Sequence, residues 1–274
     1  MAGTATRETV VVKVGGSCLD DLAPEWWDAL AALVAPTGAK LVVVHGWSKM
    51  LAGAAPDGQP DFIVDKHGFR SRYTTPAVLE EIERVAAGLR ERIAELLRAR
   101  GLSARAVSGA GERLLRAELR RNMWWVGDDL VELTNLVGPV RSVDGARLGE
   151  LLHGADALVV SPLAVADGHP RVNTDADRAA AALAGAAGAR RLALVMEAPA
   201  ILADGEPVSR ATRADLRDLA AHAKGGMAKK LRAVEEAFAA GVEAVAVGNG
   251  LPGDLLRGDA GTLIAAAATA RAEG

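Results

Sequence analysis

The sequence predicts an α/β protein: a mainly parallel β-sheet covered by helices on both faces. Three observations predict it. Short β-branched apolar runs alternate with amphipathic helical stretches along the chain. The runs are apolar throughout, as in strands buried on both faces. Lys13, His45-Gly46, Ser108-Gly109 and Ser161-Pro162 all fall at the ends of predicted strands. In such sheets ligands sit at the carboxyl ends of the strands, and core packing alone does not account for that clustering.

The elements follow in order. Residues 10–14 are a strand, a valine-rich run that carries Lys13 near its end. A helix around 24–35, a strand at 41–44 and a helix around 48–54 come next. Residues 75–100 form one long helix, with Pro76 suited to its first turn and Gly101 to its C′ position. A strand at 102–107 follows. The stretch 109–149 breaks the rhythm: it is irregular, rich in arginine and carries Trp124-Trp125. It reads as an excursion over the sheet edge, a hairpin or a lid. Strands at 155–162 and 191–195 flank a helix over 177–187. Helices at 211–221 and 227–240 and a strand at 242–247 complete the pattern, with no internal repeat.

Composition narrows the class. A chain of 274 residues, 50% hydrophobic, can bury a large core, as one α/β domain or two lobes. A net charge of −3 argues against a general nucleic-acid binder. The single cysteine, Cys18, excludes an intrachain disulfide and a thiolate metal cluster, and suits a small gap behind the glycine turn. No apolar signal region opens the sequence, and the Ala-rich stretches carry charges at helical spacing, so none reads as a membrane span. A cytoplasmic protein with no membrane or nucleic-acid partner is the expectation.

Four motifs carry chemistry. Lys13 with Gly15 and Gly16 ends a strand in a cation and bare backbone. Such a turn suits an anion cradle in which Lys13 neutralises a transferring phosphoryl group, or a lysine snorkelling beside a tight turn. His45-Gly46-Trp47 closes the second strand; Gly46 permits close approach of a ligand, while Trp47 suits the core better than a pocket wall. Asn173-Thr174-Asp175-Ala176-Asp177 precedes a helix. A cap needs one such residue, so a second role follows, such as a carboxylate holding two lysines without acting as a base. Gly225-Gly226-Met227-Ala228-Lys229-Lys230 opens another helix, where the dipole opposes lysines and something negative must compensate. A solvated face accounts for Lys229 more easily than for Lys230. No phosphate-binding Gly-x-x-x-x-Gly-Lys-Ser/Thr loop, dinucleotide fingerprint or Gly-x-Ser-x-Gly elbow is present, and the five histidines have no metal-ligand spacing.

These four elements, in this order, resemble the amino acid kinase family over residues 10–264. Within it the resemblance is to acetylglutamate kinases and to the aminoadipate or glutamate kinases whose substrate is held by a small acidic amino-group carrier protein. It implies a three-layer α/β/α sandwich, with residues 1–170 an acyl-substrate lobe bearing a dimer interface and 171–274 a nucleotide lobe. The implied reaction is ATP-dependent phosphorylation of a side-chain carboxylate, with Mg²⁺ arriving on the nucleotide. By motif, Lys13 and Lys230 contact the transferring phosphoryl group and Asp177 orients both. Gly15, Gly16 and Gly46 offer backbone N–H groups. Arg72, in Ser71-Arg72-Tyr73-Thr74, grips the substrate's α-carboxylate. Trp47, Asn173 and Asp175 line the substrate side, and Glu197, Gly226, Met227 and Lys229 the nucleotide side. A carboxylate is already a nucleophile, so positioning and charge neutralisation carry the catalysis.

Ser108-Gly109-Ala110-Gly111-Glu112-Arg113, followed by Arg116, Arg120 and Arg121, is close to the carrier-protein branch. These arginines suit steering of an acidic carrier or a solvated helix face. The sequence departs from the family at two places. Trp47 stands where a glycine is usual, and Met196-Glu197-Ala198-Pro199-Ala200 replaces Ser/Thr-Asp-Val-x-Gly. These departures suit either an enzyme diverted to a specialised pathway or a non-catalytic ligand sensor on the same fold; a kinase for a phosphate or phosphonate is a third reading. The resemblance implies a homodimer.

Overall fold

The computed structural model describes residues 8–51, 60–65, 70–119, 122–223 and 225–266. In chain order the strands are β1 Thr9–Val14, β2 Lys40–His45, β3 Phe62–Asp65, β4 Arg70–Arg72, β5 Ala104–Ser108, β6 Leu115–Ala117, β7 Asn122–Val126, β8 Asp129–Leu133 and β9 Val140–Val143. They continue with β10 Ala157–Ser161, β11 Leu163–Ala166, β12 His169–Asn173, β13 Arg191–Val195, β14 Ile201–Ala203, β15 Glu206–Val208, β16 Arg210–Thr212, β17 Ala244–Gly248 and β18 Thr262–Ala265. The helices are α1 Pro24–Ala31, α2 Pro76–Arg98, α3 Gly145–His153, α4 Ala176–Ala186, α5 Leu216–His222, α6 Gly226–Ala239 and α7 Pro252–Arg257.

The central sheet has eight strands in the order β16-β18-β17-β13-β1-β2-β10-β5. From β17 to β5 every pairing is parallel; β18 turns antiparallel to β17 and takes β16 with it. Strand alternation divides the core into two layers. Val11, Val42, Val44, Leu192 and Leu194 face α3, α4 and α6. Val12, Val14, Leu41, Val43 and Val195 face α1, α2 and α7. The three-layer α/β/α sandwich expected of the sequence is therefore present, and no helix among the described residues is long and apolar enough to cross a membrane.

Smaller sheets carry the loops over the top of this layer. β12-β11-β6-β9 and β4-β3-β7-β8 are four-stranded, and β14-β15 is a hairpin. The irregular stretch at 109–149 resolves into β6, a β7–β8 hairpin, β9 and the start of α3, whose N-cap Asp144 accepts the Arg147 N–H. α2 matches its expected span, capped by Thr75 and ended at Gly101, which sits at φ +82°.

Other boundaries moved for identifiable reasons. The helix expected at 211–221 begins only at Leu216. Arg210–Thr212 is claimed by the sheet as β16, and Asp215 then accepts both the N–H and the hydroxyl of Thr212, which starts helical structure late. The helix around 24–35 stops at Ala31 and runs into turns that end at Gly38, at φ +64°. The helix around 48–54 is one 3-10 turn, Ser48–Leu51, and its remaining residues lie outside the described ones. Strands β3, β4, β11, β12, β14 and β15 lack the long apolar runs that marked the central sheet.

Candidate active site

The site is built at the carboxyl edge of the sheet. Lys13 sits between Val12 and Val14 on β1, so alternation turns it, like Val11, toward α4 and α6. Its ammonium meets Asp177 Oδ1 at 2.7 Å. Asp177 lies in the first turn of α4, which begins where it does because Asp175 Oδ1 accepts the N–H groups of Asp177 and Arg178. From the other side Lys230, near the start of α6, donates to Asp177 Oδ2 at 2.8 Å. The three side chains are 9–11% exposed. The sequence-predicted trio of two lysines and an orienting carboxylate is thus brought together as one buried unit.

Its electrostatics follow from burial and from those contacts. Burial alone would raise the Asp177 carboxyl, but Lys13 and Lys230 hold it well below the usual carboxylate range. Burial works against the Lys13 ammonium too, and Asp177 more than offsets it, so Lys13 is raised. Lys230 goes the other way: burial and the neighbouring Lys13 charge outweigh Asp177 and lower it. Asp175 is raised by burial and by Asp177, against the pull of the helix N–H groups.

The glycines are close-packed, with a correction to their expected role. A Cβ on Gly16 would fall 2.5 Å from the Trp47 nitrogen and 2.6 Å from the Gly46 carbonyl carbon, so only glycine fits. Gly15 and Gly46, expected to offer free N–H groups, do not. Gly15 donates to the Val195 carbonyl at 3.2 Å and Gly46 to the Val14 carbonyl at 3.0 Å, which prolongs the parallel ladders by one residue. Among the described residues the N–H groups of Gly16 and Trp47 have no such partner. The Trp47 indole, 5% exposed, packs in the α2-side core with its ring 6.0 Å from His45. It does not wall a pocket, and what this position presents outward is backbone.

On the substrate side, Asn173, Thr74, Asn135 and Arg72 form one buried polar cluster. Asn173 donates to Thr74 Oγ1 at 3.2 Å, Asn135 Oδ1 accepts the Thr74 N–H at 2.7 Å, and Asn135 Nδ2 donates to the Arg72 carbonyl at 3.0 Å. Asn173 Oδ1 has no partner among the described residues. Arg72 is buried: it donates to the Leu51 carbonyl at 3.1 Å, lies 3.6 Å from Asp61 and stacks on Phe62. Arg70 covers the same ring at 3.7 Å. Asn135 and Thr74 escaped the sequence reading: each is 1% exposed, and each is flanked by at least one other polar residue, so nothing in the local sequence marks it as buried.

On the other side, Gly225 caps α6 at φ +57°, Gly226 opens it, and Met227 packs on the core. Lys229 donates to the Arg70 carbonyl, so the start of α6 touches both Asp177 and the β3–β4 pair. Glu197 is exposed just past β13, with its carbonyl held by Asn249 at 2.9 Å. The arginines are scattered. Arg113 is exposed on a turn at φ +53°, Arg116 lies on β6 paired with Asp167, and Arg120 and Arg121 lie outside the described residues. The 113–117 segment is turn and strand, so its expected helix face is absent. A cleft of about 1020 Å³ runs along α2 past Glu83, Arg90 and Arg113 and includes none of Lys13, Asp177 and Lys230.

Chemically, this edge offers two ammonium groups aimed at one spot, the N-terminal ends of two helices, and an open backbone N–H at Gly16. His45 lies on the opposite face of the sheet, 3.1 Å from Ser161 Oγ, with burial lowering it to about 4. That inventory suits stabilisation of negative charge without proton transfer.

Comparisons with known proteins agree with the geometry. The model of the amino acid kinase family matches residues 8–249. Acetylglutamate kinase from Geobacillus stearothermophilus is 35% identical over 253 residues, covering 89% of this chain and 90% of that one. A protein of Aeropyrum pernix, provisionally named LysW-aminoadipate/LysW-glutamate kinase, is 32% identical over 266 residues, covering 93% and 96%. Among solved structures, N-acetylglutamate synthase from Neisseria gonorrhoeae with coenzyme A and L-arginine superposes with a TM-score of 0.73 at 25% identity. The match covers 96% of this chain and 62% of the synthase chain.

Proposed function

Because the chain belongs to the amino acid kinase family, we propose that it transfers the γ-phosphoryl group of ATP to the side-chain carboxylate of an N-blocked acidic amino acid. The acid is aminoadipate or glutamate carried on a small acidic amino-group carrier protein. The observation that carries the reading is Asp177 held between Lys13 at 2.7 Å and Lys230 at 2.8 Å. A carboxylate oxygen of the substrate bonds to the γ-phosphorus as the bond to the β,γ-bridging oxygen breaks, giving an acyl phosphate and ADP. No proton has to move, since the attacking carboxylate is already ionised. Lys13 and Lys230 neutralise the equatorial oxygens, and Asp177 keeps the two cations from drifting apart.

The remaining roles follow the same reading. Gly16 and the backbone at Trp47 approach the phosphoryl oxygens; Arg72, Asn173 and Asp175 line the acid; Glu197, Gly226, Met227 and Lys229 border the nucleotide. Residues 1–170 then act as the acyl-substrate lobe, with a homodimer interface, and 171–274 as the nucleotide lobe. Mg²⁺ binds mainly through substrate phosphates, water and one or two carboxylates. Among the described residues no group of three metal-binding side chains is gathered, and Asp177 is engaged by two lysines, so the ion would be held chiefly by the nucleotide. Arg113 and Arg116 remain candidate carrier contacts together with Arg120 and Arg121.

A second reading, acetylglutamate kinase, is favoured by the higher identity to that group, 35% against 32%. Hydroxamate trapping with Mg-ATP separates the two. The acids offered are free, N-acetylated and carrier-linked glutamate and aminoadipate, with Lys230→Ala as control. Hydroxamate only from a carrier-linked acid supports the first reading, and hydroxamate only from N-acetylglutamate the second. Binding of ATP with no turnover on any acid would replace both by a ligand-sensing role.

A further inference from the structure

Helices α4 and α6 each deliver one half of the Lys230–Asp177 pair, so the distance between these helices sets whether the pair can form. Three contacts run along them. At the N-terminal ends Lys230 meets Asp177 at 2.8 Å. At the far ends a Cβ on Gly185 would collide with Ala240, so the helices are in backbone-level contact there. Between these lies a fork: Arg178 Nε donates to Glu236 Oε2 at 2.7 Å and Arg178 Nη2 to Glu236 Oε1 at 2.5 Å. Arg178 is adjacent in sequence to Asp177, and its side chain is 17% exposed. The fork thus starts next to Asp177 on α4 and ends on the helix that carries Lys230.

We propose that Arg178 and Glu236 are positioning residues whose two-bond fork holds α6 against α4 and so places Lys230 on Asp177. A bidentate guanidinium–carboxylate pair fixes both distance and rotation, which a single hydrogen bond cannot do. Lys13 is carried by the central strand β1, not by α6. The fork therefore governs one of the two lysines and leaves the other alone. Glu236 also has Arg232 one turn away on its own helix at 3.6 Å. A second arginine–carboxylate pair, Arg213–Glu235, ties the outer side of α6 to the turn before α5 and serves as an internal control. The catalytic consequence rests on the kinase reading; the placement of Lys230 does not.

The test uses amine acetylation by NHS-acetate, with mass spectrometry resolving Lys13, Lys230 and exposed Lys49 in the full-length protein. Arg178→Ala and Glu236→Ala should each raise Lys230 acetylation at least about tenfold while Lys13 stays at the wild-type rate. Arg178→Lys, which keeps the charge but loses the fork, should lie between. The exchange Arg178→Glu with Glu236→Arg should restore protection, and Glu235→Ala should leave it unchanged. In the trapping assay the same single variants should lower kcat by up to about 10²-fold with KM for the acid little changed. Unchanged Lys230 acetylation in both single variants overturns the proposal, as does a parallel rise at Lys13 and Lys230, which would mean general loosening. If the wild type makes no acyl phosphate from any acid, the kinase reading fails, and the acetylation pattern still decides the fork.

Discussion

The backbone of Gly16 lies against that of Trp47 so closely that a Cβ on residue 16 would stand 2.5 Å from the Trp47 nitrogen. Two strand ends, those of β1 and β2, are thereby clamped together at the point where the sheet opens toward Lys13. Gly16→Ala should push them apart at a cost of about 1–3 kcal/mol. Turnover should fall by more than that loss of stability accounts for, because the N–H at residue 16 moves with the strand end. Paired urea unfolding and trapping kinetics check this; an alanine variant of wild-type turnover would contradict it.

Asp177→Asn removes the one carboxylate that two buried ammonium groups share. Unpaired buried charges are strongly destabilising, and breaking such a pair costs about 3–5 kcal/mol. Melting temperature should drop, and kcat should fall by more than in Glu235→Ala. Added inorganic phosphate should restore part of the lost melting temperature, since an anion then replaces the missing carboxylate. No phosphate dependence would argue against the two lysines pointing at a common anion position.

Stability should depend on pH through His45. In the fold its imidazole is lowered to about 4 by burial, whereas an unfolded histidine titrates near 6.5. The unfolded chain thus binds this proton more readily. The contribution is fully present above about pH 6.5 and is lost as pH falls toward about 4, at up to ~1.4 kcal/mol per pH unit. Urea midpoints of the wild type should slope down across that window, and those of His45→Gln should slope less. Equal slopes would show that His45 is not the titrating group.

Trp47→Ala tests whether the departure at this position acts on the pocket or on the core. Because the indole is 5% exposed among core side chains, truncation should cost about 3–5 kcal/mol by leaving a cavity. KM for the acid should change little. A large KM change at unaltered stability would place the ring in the substrate pocket after all.

How much of this was legible in the sequence depended on the residue. Lys13, Asp177 and Lys230 could be read because each contradicts its surroundings: a cation in an apolar strand, an excess of polar groups before a helix, a lysine at a helix N-terminus. Central strands announced themselves by continuous apolar runs such as 10–14 and 191–195. The β3–β4 pair did not, since Arg70 and Arg72 are charged strand residues whose stacking on Phe62 leaves no apolar pattern in the sequence. The Thr74–Asn135 contact was equally silent. Its partners are far apart in sequence, and a hydrogen bond leaves no periodicity. For Gly15 and Gly46 the sequence showed glycine but not that ladder bonds occupy their N–H groups.

Strand β1 begins the described chain yet lies in the interior of the sheet, paired on one side with β2 and on the other with β13. During synthesis the first partner emerges soon and the second only after residue 195 has left the ribosome. Until then β1 is an edge strand, open to pairing with other chains. The growing polypeptide thus passes through a long interval in which a strand of the central sheet waits for a distant partner. Chaperone dependence should concentrate in nascent chains that stop short of β13.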